Sequence, residues 1–235
     1  MIIKQYIDKL KRFLEKLLPE ETICGSKKKW NKLARENSRY VIASRKGKGI
    51  TEDEFKILGA ENYNDLILND PILLEKLKPY SDRNVLEIGC DIGRLSEFFA
   101  NDFKNITGID ISEEMVGQGK KRLAHIKNLN FIATDGVNYP FPLDHFDLVF
   151  SYLVFQHMPS KEVIKRNFKE IFRVLRSDGI AKIQIRGGHQ PYKWQWFYGP
   201  SFNLEEATKM VTEIGFKIIK TEGEKEKRFW LWLKK

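Results

Sequence analysis

From Asn84 to the C-terminus, short apolar runs alternate with amphipathic stretches, and this alternation constrains the fold more than any other feature of the 235-residue chain. Runs rich in β-branched and aromatic residues predict strands at 84–88, 105–109, 129–133, 146–151 and 180–186. Apolar spacing of three and four residues predicts helices at 94–101, 112–125, 160–175 and 204–214. Strands that alternate with helices lie parallel, with crossover helices on both faces of the sheet. The last two runs, FKIIKTEGE and RFWLWLKK, break that rhythm, because only a short turn separates them. A parallel pair needs a crossover of about a dozen residues or more, so these two strands are antiparallel. The expected fold is α/β: a doubly wound, seven-stranded, mostly parallel sheet with an antiparallel C-terminal hairpin strand. Gly117 and Gly119 each weaken the helix at 112–125 by about 1 kcal/mol relative to alanine, and nothing in the sequence accounts for them.

Residues 1–80 read as an N-terminal helical extension or cap, and 81–235 as the main domain. The first twenty residues place Ile3, Ile7, Leu10, Leu14, Leu17 and Leu18 on one stripe and end at Pro19. Such a helix docks on its own domain, joins a second copy in a homodimer, or lies on a membrane surface. Residues 24–50 read as a basic connector with a short helix near 29–35. The TEDEF stretch at 51–55 carries an N-cap threonine and an acidic first turn, and a further helix is expected around 71–77. The net charge of +9 belongs to the arm: residues 1–50 hold 14 Lys/Arg and 5 Asp/Glu, and the remainder is neutral. A basic arm is either a solvated face or a contact for nucleic acid, an anionic membrane or an acidic partner. No apolar run approaches the roughly 20 residues that span a bilayer, and no signal-peptide pattern opens the chain. Cys24 and Cys90 are the only cysteines, and no Cys/His cluster has zinc spacing. A cytoplasmic protein without a metal is the expectation.

The stretch NVLEIGCDIGRLSEFFA runs from strand to glycine turn to helix. Glycines at such a junction let the backbone approach a ligand closely. A dinucleotide fingerprint would need glycine at 89, 91 and 94, where the chain has Gly89, Asp91 and Arg94. No phosphate-binding Gly-Lys-Ser/Thr follows either. Asp110, at the tip of the second strand, can accept two ribose hydroxyls, since both are donors on one edge of the sugar. Asp135, after the third strand, is placed to accept an adenine amine. Three successive strand tips thus offer a turn, a ribose acceptor and an adenine acceptor.

These stretches resemble the class I S-adenosylmethionine-dependent methyltransferases. VLEIGCDIGRL is similar to their first motif, with Glu87, Gly89 and Gly93 in register, and ITGIDIS to their second, with Asp110 as ribose ligand. IATDG resembles the adenine-binding stretch, FDLVFSYLVFQHM the fourth strand and its loop, and FKEIFRVLRSDGIAKIQI the passage into the fifth strand. The closing hairpin matches the family's antiparallel seventh strand, so the resemblance covers roughly 84–235. It implies S-adenosylmethionine as cofactor and S-adenosylhomocysteine as product. It implies that Glu87, Gly89, Cys90, Asp91, Gly93, Arg94, Asp110, Ile111, Met115, Asp135, Gly136, Ser151 and Tyr152 surround the cofactor. Asp91 departs from the family's usual glycine, although Asp tolerates a left-handed backbone better than most residues. Near the methionine end its carboxylate would attract the α-ammonium and repel the α-carboxylate, a repulsion that Arg94 offsets.

Methyl transfer from a sulfonium needs alignment and exclusion of water, and a general base only when the nucleophile holds a proton it will not release. The fourth-strand tip, SYLVFQH, lacks the Asn/Asp-Pro-Pro-aromatic pattern of amino-adenine and glutamine methyltransferases. His157 is a candidate base, or a brace for the loop. His189 is a second candidate base. The loop RGGHQPYKWQWFYGPSF carries Tyr192, Trp194, Trp196 and Tyr198, either as a lid over a planar or cationic acceptor or as a plug on the sheet. By analogy, segments before the first strand fold over the cofactor, with Trp30, Arg39 and Tyr40 in that cover and Tyr40 as a further catalytic candidate. The expected partner is a small-molecule methyl acceptor. An RNA- or protein-directed enzyme using the basic arm, or a non-catalytic cofactor-binding module, are the alternatives.

Overall fold

The computed structural model describes residues 23–43, 49–188 and 199–235. Among these, the strands β1 (Asn84–Ile88), β2 (Asn105–Asp110), β3 (Leu129–Ala133), β4 (Phe146–Ser151), β5 (Leu175–Ile185), β6 (Lys217–Glu222) and β7 (Phe229–Lys234) form one sheet in the order β3-β2-β1-β4-β5-β7-β6. The strands from β3 across to β5 pair in parallel. β7 inserts antiparallel between β5 and β6. The helices are α1 (Ile23–Ile42), α2 (Glu52–Tyr63), α3 (Pro71–Leu77), α4 (Ser96–Asp102), α5 (Glu113–Arg122), α6 (Lys161–Val174) and α7 (Leu204–Ile214).

The two-residue period of the strands feeds two cores. Val149, Ile183, Leu231 and Leu233 meet Ile164, Phe168 and Ile171 of α6 and Ala207 and Val211 of α7 on one face. Val85, Leu148, Phe150, Trp230 and Trp232 meet Tyr63, Leu73, Leu77 and Phe99 on the other. Each fully buried large side chain contributes roughly 1.5–3 kcal/mol.

Two elements differ from the sequence expectation. β5 starts at Leu175, not near 180, because Leu175 pairs with Phe146 while Ile180 pairs with Leu148, and residues 176–179 bulge from the ladder. Residues 23–42 form one long helix with a break at Asn37, in place of a connector with a short helix. Only Ala34 of α1 is buried, so no apolar stripe announces it. Polar contacts to α5 hold it instead. Lys27 pairs with Glu113 at 2.6 Å and Arg35 with Glu114 at 3.1 Å. Asn31 Oδ1 accepts the Ser112 hydroxyl at 2.8 Å and the Glu114 N–H at 3.2 Å, adding a second capping oxygen to the start of α5. The Thr51–Glu54 capping box opens α2 as its sequence predicts, and a π-helical turn at Asn64–Leu68 continues it. Residues 1–22, with the proposed dimer helix, lie outside the described residues, as does the loop at 189–198.

A buried ion pair ties this helical layer to the sheet. Lys182, on β5, sits 2.6 Å from Asp70 Oδ2 with both side chains almost fully enclosed. The same oxygen accepts the Trp232 indole N–H at 2.8 Å, and Oδ1 caps α3 by accepting the Ile72 and Leu73 N–H groups. Replacing Asp70 with alanine strands a buried ammonium and removes a cap. Urea unfolding of Asp70→Ala is expected to show a loss of about 3–5 kcal/mol, partly recovered in Asp70→Asn/Lys182→Met. A loss under about 1 kcal/mol would contradict this account of the layer.

Candidate active site

The bend after β1 is built from three left-handed residues in five: Gly89 (φ 72°), Asp91 (φ 49°) and Gly93 (φ 85°). Aspartate is among the few side chains that adopt this backbone readily. It also closes the bend, since Asp91 Oδ1 accepts the Gly93 N–H at 3.1 Å and the Arg94 N–H at 3.4 Å. A Cβ on Gly93 would lie 2.6 Å from Leu123 Cδ1 and 2.7 Å from Phe131 Cζ, so a side chain there would displace the core. The Asp91 N–H donates to Asp110 Oδ2 at 3.1 Å, joining the tips of β1 and β2.

Asp110 Oδ1 accepts the Ser112 N–H at 2.8 Å. Each Asp110 oxygen therefore has one backbone donor in these contacts, and a carboxylate retains further lone pairs for a ligand. Burial pushes the Asp110 carboxyl up to about 6, against the pull of these N–H groups. Burial likewise lifts Asp91 to about 7, with Arg94 opposing and Asp110 adding to the rise. Glu87 lies behind them, lifted by burial to about 8 and hydrogen-bonded by the Ser96 hydroxyl. Arg94 is 5% exposed, and its Nε has no hydrogen-bond partner.

A cavity of about 760 Å³ opens over these strand tips, within the range of small-molecule sites. Gly89, Asp91, Arg94, Asp110, Ile111, Met115, Gly136 and Tyr152 line it. Glu87, Cys90, Gly93 and Ser151 are not on its wall; they sit just behind, with the Ser151 hydroxyl donating to the Ile88 carbonyl. Asp135 is exposed, and its carboxylate turns into its own loop to accept the Val137 and Asn138 N–H groups. Of the cover residues, Trp30 lines the cavity together with Ile23, Val41 and Ile42. Arg39 pairs with Glu52, and Tyr40 is not on the cavity wall. His157 lines the cavity, with its ring edge-on to Trp30 at 5.4 Å and Nε2 3.0 Å from the Gln156 amide nitrogen. An amide nitrogen only donates, so that hydrogen bond requires an unprotonated Nε2. His189, Tyr192, Trp194, Trp196 and Tyr198 fall outside the described residues.

Several wall residues escaped the sequence reading. Tyr139 donates its hydroxyl to Asn167 Oδ1 at 2.7 Å, and Asn167 Nδ2 donates to the Gly136 carbonyl at 3.0 Å. Asn167 is a buried polar residue among Ile164, Phe168 and Ile171 of α6, and that interruption of an apolar face was the available signal. Leu153 (φ 62°) is held by Gln184 Oε1, which accepts its N–H at 2.9 Å. Asn62, Leu66 and Arg228 reach the wall from distant segments, which no local pattern reveals.

The residues fit a zwitterionic nucleoside sulfonium: a two-oxygen acceptor in Asp110, a buried Arg94 whose Nε has no hydrogen-bond partner, and a glycine edge at Gly89. Among the described residues no cluster of His, Cys, Asp and Glu could hold a metal ion, and no helix is long and apolar enough to cross a membrane.

Comparison with known proteins agrees with this geometry. A family model described as a methyltransferase domain matches residues 85–179. Malonyl-[acyl-carrier protein] O-methyltransferase 2 of Ilyobacter polytropus is 29% identical over 185 residues, covering 72% of this chain and 70% of that protein. Phosphoethanolamine N-methyltransferase 2 of Caenorhabditis elegans is 29% identical over 164 residues, covering 64% of this chain but only 37% of that protein. In fold, the chain resembles a SAM-dependent methyltransferase from Aquifex aeolicus, with a TM-score of 0.56 at 16% identity over 78% of this chain and 98% of that one. With its seven-stranded sheet ending in an antiparallel hairpin and its glycine bend joined to Asp110, the chain has a methyltransferase domain at residues 85–179 and resembles the class I S-adenosylmethionine-dependent methyltransferases in fold.

Proposed function

We propose that this methyltransferase holds its cofactor along the tips of β1, β2 and β3 and methylates a small-molecule acceptor that enters the same cavity. The observation that carries the reading is Asp110, which lines the cavity with one backbone donor on each oxygen and lone pairs left for two ribose hydroxyls. Bound S-adenosylmethionine supplies an electrophilic methyl on a sulfonium, displaced in line by the acceptor. The chain's own residues bind, orient and enclose. Gly89 admits the ligand close to the backbone, and Arg94 takes the α-carboxylate. The adenine is assigned to the wall of Ile111, Met115, Thr134 and Gly136, since the Asp135 carboxylate is engaged in its own loop. Glu87, Cys90, Gly93 and Ser151 shape the bend from behind.

The acceptor is assigned to the remaining wall, where Tyr152, Leu66, Asn62 and His157 lie. Phosphoethanolamine, named for one relative, is an acceptor of small size. Residues 1–80 are read as a cap on the domain at 81–235, supported by Ile23 and Trp30 on the cavity wall. A nucleic-acid role for the arm is not favoured, because Lys27, Arg35 and Arg39 already pair with Glu113, Glu114 and Glu52. A cytoplasmic site is supported by the two free cysteines. We read His157 as a brace, because the Gln156 amide engages the ring lone pair that a base would need.

Calorimetry with S-adenosylhomocysteine tests the cofactor reading. Micromolar-range binding is expected, weakened about 10- to 100-fold in Asp110→Asn, since hydrogen bonds to a charged group contribute about 1.5–3 kcal/mol. Because the Asp110 pKa is raised to about 6, affinity should hold above that pH and fall about tenfold per unit below it. No binding, or binding indifferent to Asp110, would overturn the reading. With any acceptor that supports turnover, His157→Gln is expected to lower kcat by less than about tenfold. A fall of about 10²–10⁴ would make His157 a base.

A further inference from the structure

Transfer of the methyl group breaks the carbon–sulfur bond and leaves its electron pair on sulfur, so a cationic sulfonium becomes a neutral thioether. Cofactor and product therefore differ by one positive charge and one methyl, and share the ribose, the adenine and the amino-acid tail. We infer that Asp91 is a charge-selecting residue whose carboxylate makes the cavity hold the sulfonium cofactor more tightly than its neutral product. The inference rests on the cofactor reading above.

The geometry keeps the Asp91 carboxylate in place. It lines the cavity, and Oδ1 is anchored by the Gly93 and Arg94 N–H groups. The charges around it come from four elements. Glu87 on β1 lies behind the wall under the Ser96 hydroxyl, and the Cys90 thiol is buried in the bend. Asp110 on β2 and Arg94 line the cavity beside Asp91. Arg122 of α5 reaches the Gly93 carbonyl, but Glu52 and Glu97 pair with it. Two carboxylates thus face the cofactor end against one guanidinium. Arg94, buried with Nε unpartnered, answers the α-carboxylate that cofactor and product share. The α-ammonium, which both also carry, draws on the Asp91 carboxylate equally in the two, so the charge that distinguishes them at Asp91 is the sulfonium, which only the cofactor has. At an effective dielectric near 20 and a separation of several ångströms, one such charge is worth about tenfold in affinity after screening.

Titration sharpens the distinction. Burial sets the Asp91 carboxyl up to about 7, so near neutral pH it is only partly ionised. A cation favours the ionised form, so cofactor binding at pH 7 releases a proton from Asp91 and the preference for the cofactor grows as pH rises. Protonation of Asp110, centred near pH 6, weakens both ligands alike and drops out of their ratio.

The test is calorimetry on the full chain with S-adenosylmethionine and S-adenosylhomocysteine at pH 6, 7 and 8, in two buffers of different ionisation enthalpy, for the native protein and Asp91→Asn. Asparagine keeps the side-chain oxygen and tolerates the left-handed backbone, and a thermal melt reports its folding. The expected result is a cofactor preference that rises about tenfold from pH 6 to pH 8 in the native protein, with proton release at pH 7. In Asp91→Asn the ratio should be flat and about tenfold lower at pH 8. An unchanged ratio in the variant, or a native ratio flat with pH and without proton release, overturns the inference; the native profile decides alone should the variant not fold. Failure of the native protein to bind either ligand overturns the cofactor reading instead.

Discussion

The hydrogen bond from the Asp91 N–H to Asp110 Oδ2 is the link on which the site depends. It joins the tips of two parallel strands at the point where the chain must turn left-handed to enter a helix. With the Gly89 and Cys90 N–H groups that donate to the Ile109 carbonyl, it fixes the bend relative to the Asp110 carboxylate. Aspartate at position 91 satisfies three demands together. It adopts φ 49°, it caps its own turn through Oδ1, and it carries negative charge into the cavity. The glycine usual at this position would meet only the first.

Helix α1 follows a different logic. The contacts of α1 with α5 are mostly polar: two part-exposed ion pairs and the Asn31 cap on the start of α5. Exposed pairs of this kind contribute roughly 0–1 kcal/mol each. A small apolar cluster of Ala34, Ala43, Ile50, Phe55, Ile92 and Met115 supplements them. Asn31 shares Ser112 with the loop that holds Asp110, so the position of α1 and the Asp110 carboxylate are mechanically connected. Two basic residues of the arm, Lys27 and Arg35, complement the acidic first turn of α5.

The sheet was readable in the sequence because parallel strands, buried on both faces, are near-continuous apolar runs, and the hairpin because its short turn forbids a crossover. Asp110 stood out in the sequence because strand tips are where such sheets bind ligands, and it lines the cavity. The length of α1 was not, because its helical state depends on residues some eighty positions away rather than on its own periodicity. The start of β5 was missed because a four-residue bulge separates its first pairing from the rest. Gly119 was an oddity in the sequence and has a reason in the structure: a Cβ there would stand 3.3 Å from the Ile92 carbonyl carbon, where α5 packs on the bend. Gly117 meets nothing, and the structure does not explain it.

The central claim is that a nucleoside sulfonium lies across the tips of β1, β2 and β3. A crystal structure with S-adenosylhomocysteine bound tests it most directly. The account predicts both ribose hydroxyls within hydrogen-bond distance of the Asp110 carboxylate and the α-carboxylate on the Arg94 guanidinium. Ligand density elsewhere, or an Asp110 carboxylate turned from the ribose, would contradict it.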